Sequence, residues 1–317
     1  MRVLVTGAAG FIGSTTAEQL LDAGHDVVAL DNLVRGRRHN VPARANFVEG
    51  ECGDGELIRS LGAFDACVHF AARIEPADSM SYPETFLANN VSQSFDLCEA
   101  LIEAGTPKFV FSSSCAVYGD QAQMPIDESQ PTDPHSPYGE SKLMVEQGLS
   151  WIARRGRMRT ASLRYFNAAG ATLAHPEQHR PEIHLIPLAL DAVLGRREVL
   201  SVFGTDYPTK DGTCVRDYVH VSDLADAHVR AIDALDDHVN LTVNLGTGVG
   251  SSILEVIDSV RRVTGRELPF RLTSRRPGAP AQAVASNVMA RDVLGWIPQR
   301  SDLDDIVADA WAAHQTL

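Results

Sequence analysis

Apolar runs of four or five residues alternate with amphipathic stretches through the first half of the chain. Arg2 to Val5, Asp26 to Leu30 and Ala66 to Phe70 read as strands, with Phe11 to Ala23 as the helix joining the first two and an acidic connection before the third. A helix from about Asn90 to Glu103 leads to the apolar strand Lys108 to Phe111, and another from Pro137 to Arg154 leads to Thr160 to Tyr165. Neither strand shows polar alternation, which predicts burial on both faces of a parallel sheet. The order is that of an α/β fold wound by crossover helices. Beyond Tyr165 the rhythm changes: Pro176, Pro181 and Pro187 punctuate longer connections, Gly204 to Gly212 reads as a loop, and helices are expected near Ser222 to Leu235 and Ile253 to Thr264. The expectation is one domain over residues 1–166, rejoined by segments from about 213–250, and a smaller mixed α/β lobe made mainly of residues 167–317.

Composition narrows the function classes. The chain has 317 residues, 44% hydrophobic, enough for a substantial core. A net charge of -13 argues against a nucleic-acid partner, since such binding draws on cationic surface. The sequence has no run of 18 apolar residues, so no membrane span is expected. Met1 leads almost at once into Val3-Leu4-Val5, leaving no room for a signal segment, and a cytoplasmic location is expected. Cys52, Cys67, Cys98, Cys115 and Cys214 show no CxxC spacing and no matching histidines, which predicts free thiols and no metal site.

Two constellations carry chemistry. Val3-Leu4-Val5 runs into Gly7, Gly10 and Gly13 and then a helix. Glycines there let the backbone turn tightly and approach a pyrophosphate, whose charge meets the helix N-terminus. This predicts a Rossmann-type doubly wound sheet. Asp31 stands 18 residues beyond Gly13, where a carboxylate accepts from an adenosine ribose and repels a 2'-phosphate. NAD is favoured, although Arg35, Arg37 and Arg38 keep NADP open and Asp31-Asn32 can also be read as a simple turn. The second constellation is Tyr138 and Lys142, on one face of a helix at i and i+4. With six Tyr and only three Lys, about 0.06 such pairs arise by chance. A Tyr near pKa ~10 needs a shift of roughly 3 units to act as a base near neutral pH, and an adjacent Lys+ pushes that way. Ser112, Ser113 and Ser114 end the strand before that helix, where ligands meet an open parallel sheet. Alone they would read as caps of a turn; beside Tyr138 and Lys142 they read as holding a substrate oxygen.

TGAAGFIGS, VHFAA, SSSCAVYG, YGESK and LRYFNAAGA together resemble the extended short-chain dehydrogenase/reductase family over essentially the whole chain. The stretch from His184 to His228 most resembles its UDP-glucose 4-epimerase branch. The resemblance implies an isomerase acting on UDP-hexoses, with NAD tightly bound and recycled. Tyr138 would take the C4 hydroxyl proton as hydride leaves C4, and the ketone would turn over and take the hydride back. Ser114 would hold the C4 oxygen. Lys142 would bind the nicotinamide ribose and lower the Tyr138 pKa. By motif position, Gly7, Gly10, Phe11, Ile12, Gly13, Asp31, Asn32, Glu51, Cys52, Phe70, Ala71, Ala72, Asn90, Ser112 and Tyr165 would line the cofactor. Asn167, His184, Leu185, Ser201, Phe203, Arg216 and Arg276 would hold the UDP moiety, and the family's helices at Asn90 to Glu103 and Pro137 to Arg154 imply a homodimer.

Some positions depart from the pattern. Glu51-Cys52 replaces an Asp and an apolar residue, Ile74-Glu75 follows HFAAR where a Lys and a small residue are usual, Cys115-Ala116 replaces a small residue and Thr, and Ala279 replaces an Asp. Ala283 stands where a bulky aromatic closes the pocket around the hexose 2-position in some members. A small residue there implies turnover of UDP-GlcNAc and UDP-GalNAc as well. A UDP-glucuronate or UDP-pentose 4-epimerase shares every catalytic residue and is the alternative.

Overall fold

The computed structural model describes residues 1–179, 181–275 and 280–317. Its first half runs β1 (Arg2–Thr6), α1 (Phe11–Asp22), β2 (Asp26–Asp31), β3 (Asn46–Glu49), α2 (Gly55–Ser60), β4 (Ala66–His69), α3 (Pro76–Ser81), α4 (Pro83–Phe86), α5 (Gln93–Glu103), β5 (Lys108–Ser114), α6 (Pro137–Arg154) and β6 (Arg159–Tyr165). The second half runs β7 (Asn167–Ala169), α7 (Leu185–Val193), β8 (Leu200–Phe203), β9 (Val215–Arg216), β10 (Tyr218–His220), α8 (Val221–Ala234), β11 (Asn240–Leu245), β12 (Ser251–Ser252), α9 (Ile253–Thr264), β13 (Phe270–Thr273), β14 (Gln282–Ala283), α10 (Val288–Leu294) and α11 (Leu303–His314).

Seven parallel strands form the main sheet in the order β3-β2-β1-β4-β5-β6-β11. Period-two alternation divides its side chains between two cores. Val3, Val5, Val27 and Ala29 join Leu20 of α1 and Leu224 of α8, while Leu4, Val28, Phe109 and Phe111 join Ile58, Leu97 and Leu149 of α2, α5 and α6. Both faces are covered, which is why these strands read as unbroken apolar runs. A third core of Leu190, Val202, Val256 and Val307 unites α7, β8, α9 and α11 in the C-terminal lobe.

Two differences from the sequence reading have local causes. β3 lies in the stretch read as an acidic connection, its four residues only half buried or exposed at the sheet edge, so it carries no strong apolar signal. The helix expected from Asn90 begins instead as a π-helical turn over Leu87–Ser92. This wider turn accompanies the buried Asn90 side chain, which bonds the Arg73 backbone on both sides, accepting at 2.8 Å and donating at 3.0 Å. No helix among the described residues is long and apolar enough to cross a membrane.

α6 is anchored at both ends of its functional face. Ser136 caps it by accepting from Gly139 N, and Pro137 occupies the first turn, where its missing N-H costs nothing. Two turns after Tyr138, the buried Glu146 receives Arg164 of β6 in a forked pair, Nε to Oε1 at 2.9 Å and Nη2 to Oε2 at 2.5 Å, and the Ser113 hydroxyl of β5. Removing one partner of such a pair strands a buried charge. Glu146→Ala is expected to cost about 3–5 kcal/mol in urea unfolding, with Glu146→Met/Arg164→Met recovering most of it. A loss below about 1 kcal/mol would mean that the pair behaves as a surface ion pair.

Candidate active site

The turn from β1 into α1 admits no side chains at its glycines. Gly7 has φ +69, and a Cβ there would lie 2.7 Å from Ala71 N in the segment after β4; a Cβ at Gly13 would lie 2.2 Å from Gly7 O. The loops after β1 and β4 therefore meet at the point where the strand order reverses, the crevice in which open parallel sheets bind ligands. Gly10 caps α1 without a side chain, and no acidic residue stands in the first turn that begins Phe11-Ile12-Gly13. The helix's free amides and positive end are thus available to an anion.

Asp31 ends β2, buried, accepting from Ala9 N at 2.9 Å and Leu33 N at 2.8 Å. Burial raises its pKa, opposed by these two bonds. Asn32 donates to Glu51 at 3.1 Å, while Cys52 is buried with its thiol toward Gln93. Of the nearby arginines, Arg35 pairs with Glu75 at 3.1 Å and Arg38 lies 4.3 Å over the Phe47 ring, which weakens the case for a 2'-phosphate. Phe70, Ala71 and Ala72 follow β4. Phe70 N bonds Thr6 O at 3.0 Å and its ring lies 4.6 Å from His228. Asn90 clamps the Arg73 backbone and donates to Ser141 of α6 at 3.0 Å, so it ties this loop to the helix bearing Tyr138.

Ser114, Tyr138 and Lys142 come together at the carboxyl end of β5. The Ser114 side chain lies within interaction range of the Tyr138 phenol and acts to lower its pKa. Lys142 Nζ donates to Ser112 O at 2.8 Å, beneath the Phe111 ring at 4.8 Å and 5.9 Å from the Tyr138 ring centroid. The hydroxyls of Ser112 and Tyr165 share a further hydrogen bond. Burial dominates: it pushes Tyr138 up to about 12 against the effect of Ser114, and it pulls Lys142 down to about 7 against the charge of Glu146. Desolvation disfavours the charged form of each.

On the sugar side, two motifs fifty residues apart meet. Asn167 in β7 pairs with Tyr218 in β10 and donates its N-H to Asp217 O at 2.9 Å, beside Arg216. Asp217, buried, accepts from Thr247 N, Thr247 Oγ1, Gly248 N and Ala285 N. Sequence reading passed over this hub; its only signal was an acid inside CVRDY. Arg216 donates to Val215 O at 2.7 Å and Pro280 O at 2.9 Å, so part of its fork is already engaged. Ala283 lies opposite Arg216 in the β14–β9 pair and joins Val117, Tyr118 and Phe166 in a cluster that Cys115 borders. His184 and Leu185 open α7; Ser201, which accepts from Arg271 at 3.3 Å, and Phe203 lie on β8. Arg276 and Ala279 lie outside the described residues.

The model of the NAD dependent epimerase/dehydratase family matches residues 3–246. The chain is 46% identical to a UDP-glucose 4-epimerase of Streptomyces lividans, covering 99% of this chain and 96% of that one. Its fold superposes on the crystal structure of UDP-glucose 4-epimerase from Brucella ovis in complex with NAD with TM-score 0.95 and 43% identity, covering 99% and 98% of the two chains. A UDP-glucose-4-epimerase from Stenotrophomonas maltophila with bound NAD and formylated UDP-arabinopyranose matches with TM-score 0.96 and 39% identity, covering 100% of this chain and 98% of that one. With its glycine cradle, its buried Asp31 and the Ser114, Tyr138 and Lys142 group all at the carboxyl ends of the sheet's strands, the chain belongs to the NAD dependent epimerase/dehydratase family.

Proposed function

We propose that this protein interconverts UDP-hexoses epimeric at C4, UDP-glucose with UDP-galactose, using a retained NAD. The observation that carries this reading is the half-buried Tyr138 beside Ser114, with Lys142 one turn along, at the mouth of a cradle in which a Cβ on Gly7 or Gly13 has no room. That cradle fits a dinucleotide: Gly7, Gly10, Phe11, Ile12 and Gly13 offer backbone to its pyrophosphate and Asp31 offers a carboxylate to its ribose. Asn32, Glu51, Cys52, Phe70, Ala71, Ala72, Asn90, Ser112 and Tyr165 complete its wall. When bound, NAD supplies the hydride acceptor and then donor at C4, so the sugar passes through a 4-ketone and the cofactor ends unchanged.

The chain's own residues manage the proton. Ser114 holds the C4 oxygen, and Tyr138 as the phenolate takes the hydroxyl proton, becoming the phenol, and returns it on the other face. A phenol held at about 12 keeps its proton at neutral pH, so serving as the base requires positive charge beside it to favour the phenolate. Lys142 is placed to supply that charge and to hold the nicotinamide ribose. Asn167, His184, Leu185, Ser201, Phe203, Arg216 and Arg276 hold the UDP moiety, with Arg216 forking toward the diphosphate. The small Ala283 leaves room at the hexose 2-position, which extends the substrates to UDP-GlcNAc and UDP-GalNAc. The protein works as a homodimer in the cytoplasm. Met144 and Trp151, exposed two turns apart on α6, supply apolar surface for a partner copy, and the five thiols, all free, suit a reducing compartment.

Incubating the purified protein without added NAD with UDP-glucose, UDP-GlcNAc and UDP-glucuronate separately, and resolving products by NMR, is expected to give C4 epimers of the first two with no net NADH. Turnover of UDP-glucuronate alone would favour the alternative substrate. Tyr138→Phe should lower kcat by about 10²–10⁴ while UDP binding persists; undiminished turnover would remove Tyr138 from the chemistry. Ala283→Tyr should abolish turnover of the acetylated pair while leaving that of UDP-glucose, and equal loss on both would refute the gate.

A further inference from the structure

The segment that carries the chain from β7 to α7 contains the tandem Glu177-Gln178-His179 and Glu182-Ile183-His184. These two E-x-H units fold back on each other. One ligand-capable atom from each of the four acidic and imidazole side chains lies within 4.8 Å of all the others. His184 Nδ1 is 2.8 Å from Glu177 Oε1 and 2.9 Å from Glu182 Oε1. His179 Nδ1 is 3.3 Å from Glu177 Oε1, buried, and makes no hydrogen bond. The two imidazole rings lie 4.7 Å apart between centroids.

We propose that Glu177, His179, Glu182 and His184 form a structural zinc site. Four ligands at zinc distances of about 2.0–2.1 Å in a tetrahedron stand roughly 3.3 Å apart, so the observed separations need only small side-chain adjustments to enclose an ion. Charge argues the same way. The Glu177 and Glu182 side chains, only 7% and 15% exposed, bring two carboxylates into one cluster, a concentration of negative charge that a divalent cation offsets. Two nitrogen ligands disfavour magnesium and calcium, which prefer oxygen shells, and suit zinc. With all four positions filled by protein the site is closed, as structural zinc sites are, and leaves no open coordination position for chemistry. The absence of a metal site expected from cysteine spacing did not consider this histidine and glutamate pattern.

Zinc here would staple the crossover between the two halves of the molecule. Gln178 contacts His39 at 3.1 Å in the turn after β2, while His184 is the N-cap residue of α7. Coordination through Nδ1 leaves the His184 Nε2-H facing outward as a donor for a substrate phosphate. That consequence alone rests on the substrate role proposed for His184.

The test uses full-length, NAD-containing protein prepared without chelator or metal-affinity resin. Elemental analysis is expected to find about one zinc per chain, and EDTA-treated protein to take up ZnCl2 to the same level. His179→Gln and Glu177→Gln should each weaken zinc binding by more than the roughly 10–100-fold that loss of an outer-sphere partner costs, with NAD content unchanged. Should either variant fail to fold, Co2+ added to the EDTA-treated parent should give the intense visible bands of a tetrahedral centre. Protein that neither retains nor takes up zinc, zinc content equal in parent and variants, or a six-coordinate cobalt spectrum would each overturn the site, whether or not the epimerase reading stands.

Discussion

The forked pair between Arg164 and Glu146 fixes where the reacting groups stand. Glu146 lies on the same face of α6 as Tyr138 and Lys142, at successive i+4 steps, and its carboxylate is held by β6 through Arg164 and by β5 through Ser113. A helix that could roll or slide on the sheet would carry the phenol away from Ser114, whose place is set by β5. Because α6 is clamped at this point and capped by Ser136, one rigid element carries Tyr138 and Lys142 and its neighbour carries Ser114. Such placement on regular elements holds a site more tightly than loops do.

The same burial that orders these groups works against their ionised forms. Lys142 is buried and Tyr138 half-buried, and desolvation favours the neutral state of each before any ligand enters. Charge brought by ligands then acts through a poorly screening medium and has a larger effect than it would in solvent. Asp31 follows the same logic in the cradle, its pKa raised by burial while Ala9 and Leu33 support the carboxylate.

Much of this was legible in the sequence, and the reasons differ by region. Doubly covered strands announce themselves as apolar runs, so β1, β2, β4, β5 and β6 were visible, and the glycine spacing and the Tyr138/Lys142 pair rest on local geometry that spacing encodes. β3 escaped because an edge strand of four half-exposed residues has no buried face to mark it. Asp217 and Glu146 escaped because their partners, Thr247 and Ala285 for the one and Arg164 for the other, are distant in sequence and meet only in the fold. The spacing of Tyr138 and Lys142 can be read from sequence, whereas the burial that raises the Tyr138 pKa cannot.

The place of β11 at one end of the main sheet sets a limit on dissection of the molecule. It is hydrogen-bonded along the whole of β6, from Asn240 opposite Thr160 to Leu245 opposite Tyr165. A fragment ending near residue 166 would carry Ser114, Tyr138 and Lys142 yet leave the outer edge of β6 bare, an invitation to pair with another chain. The two halves of this protein are therefore woven rather than strung together, and a split molecule would function only by strand donation from its missing part.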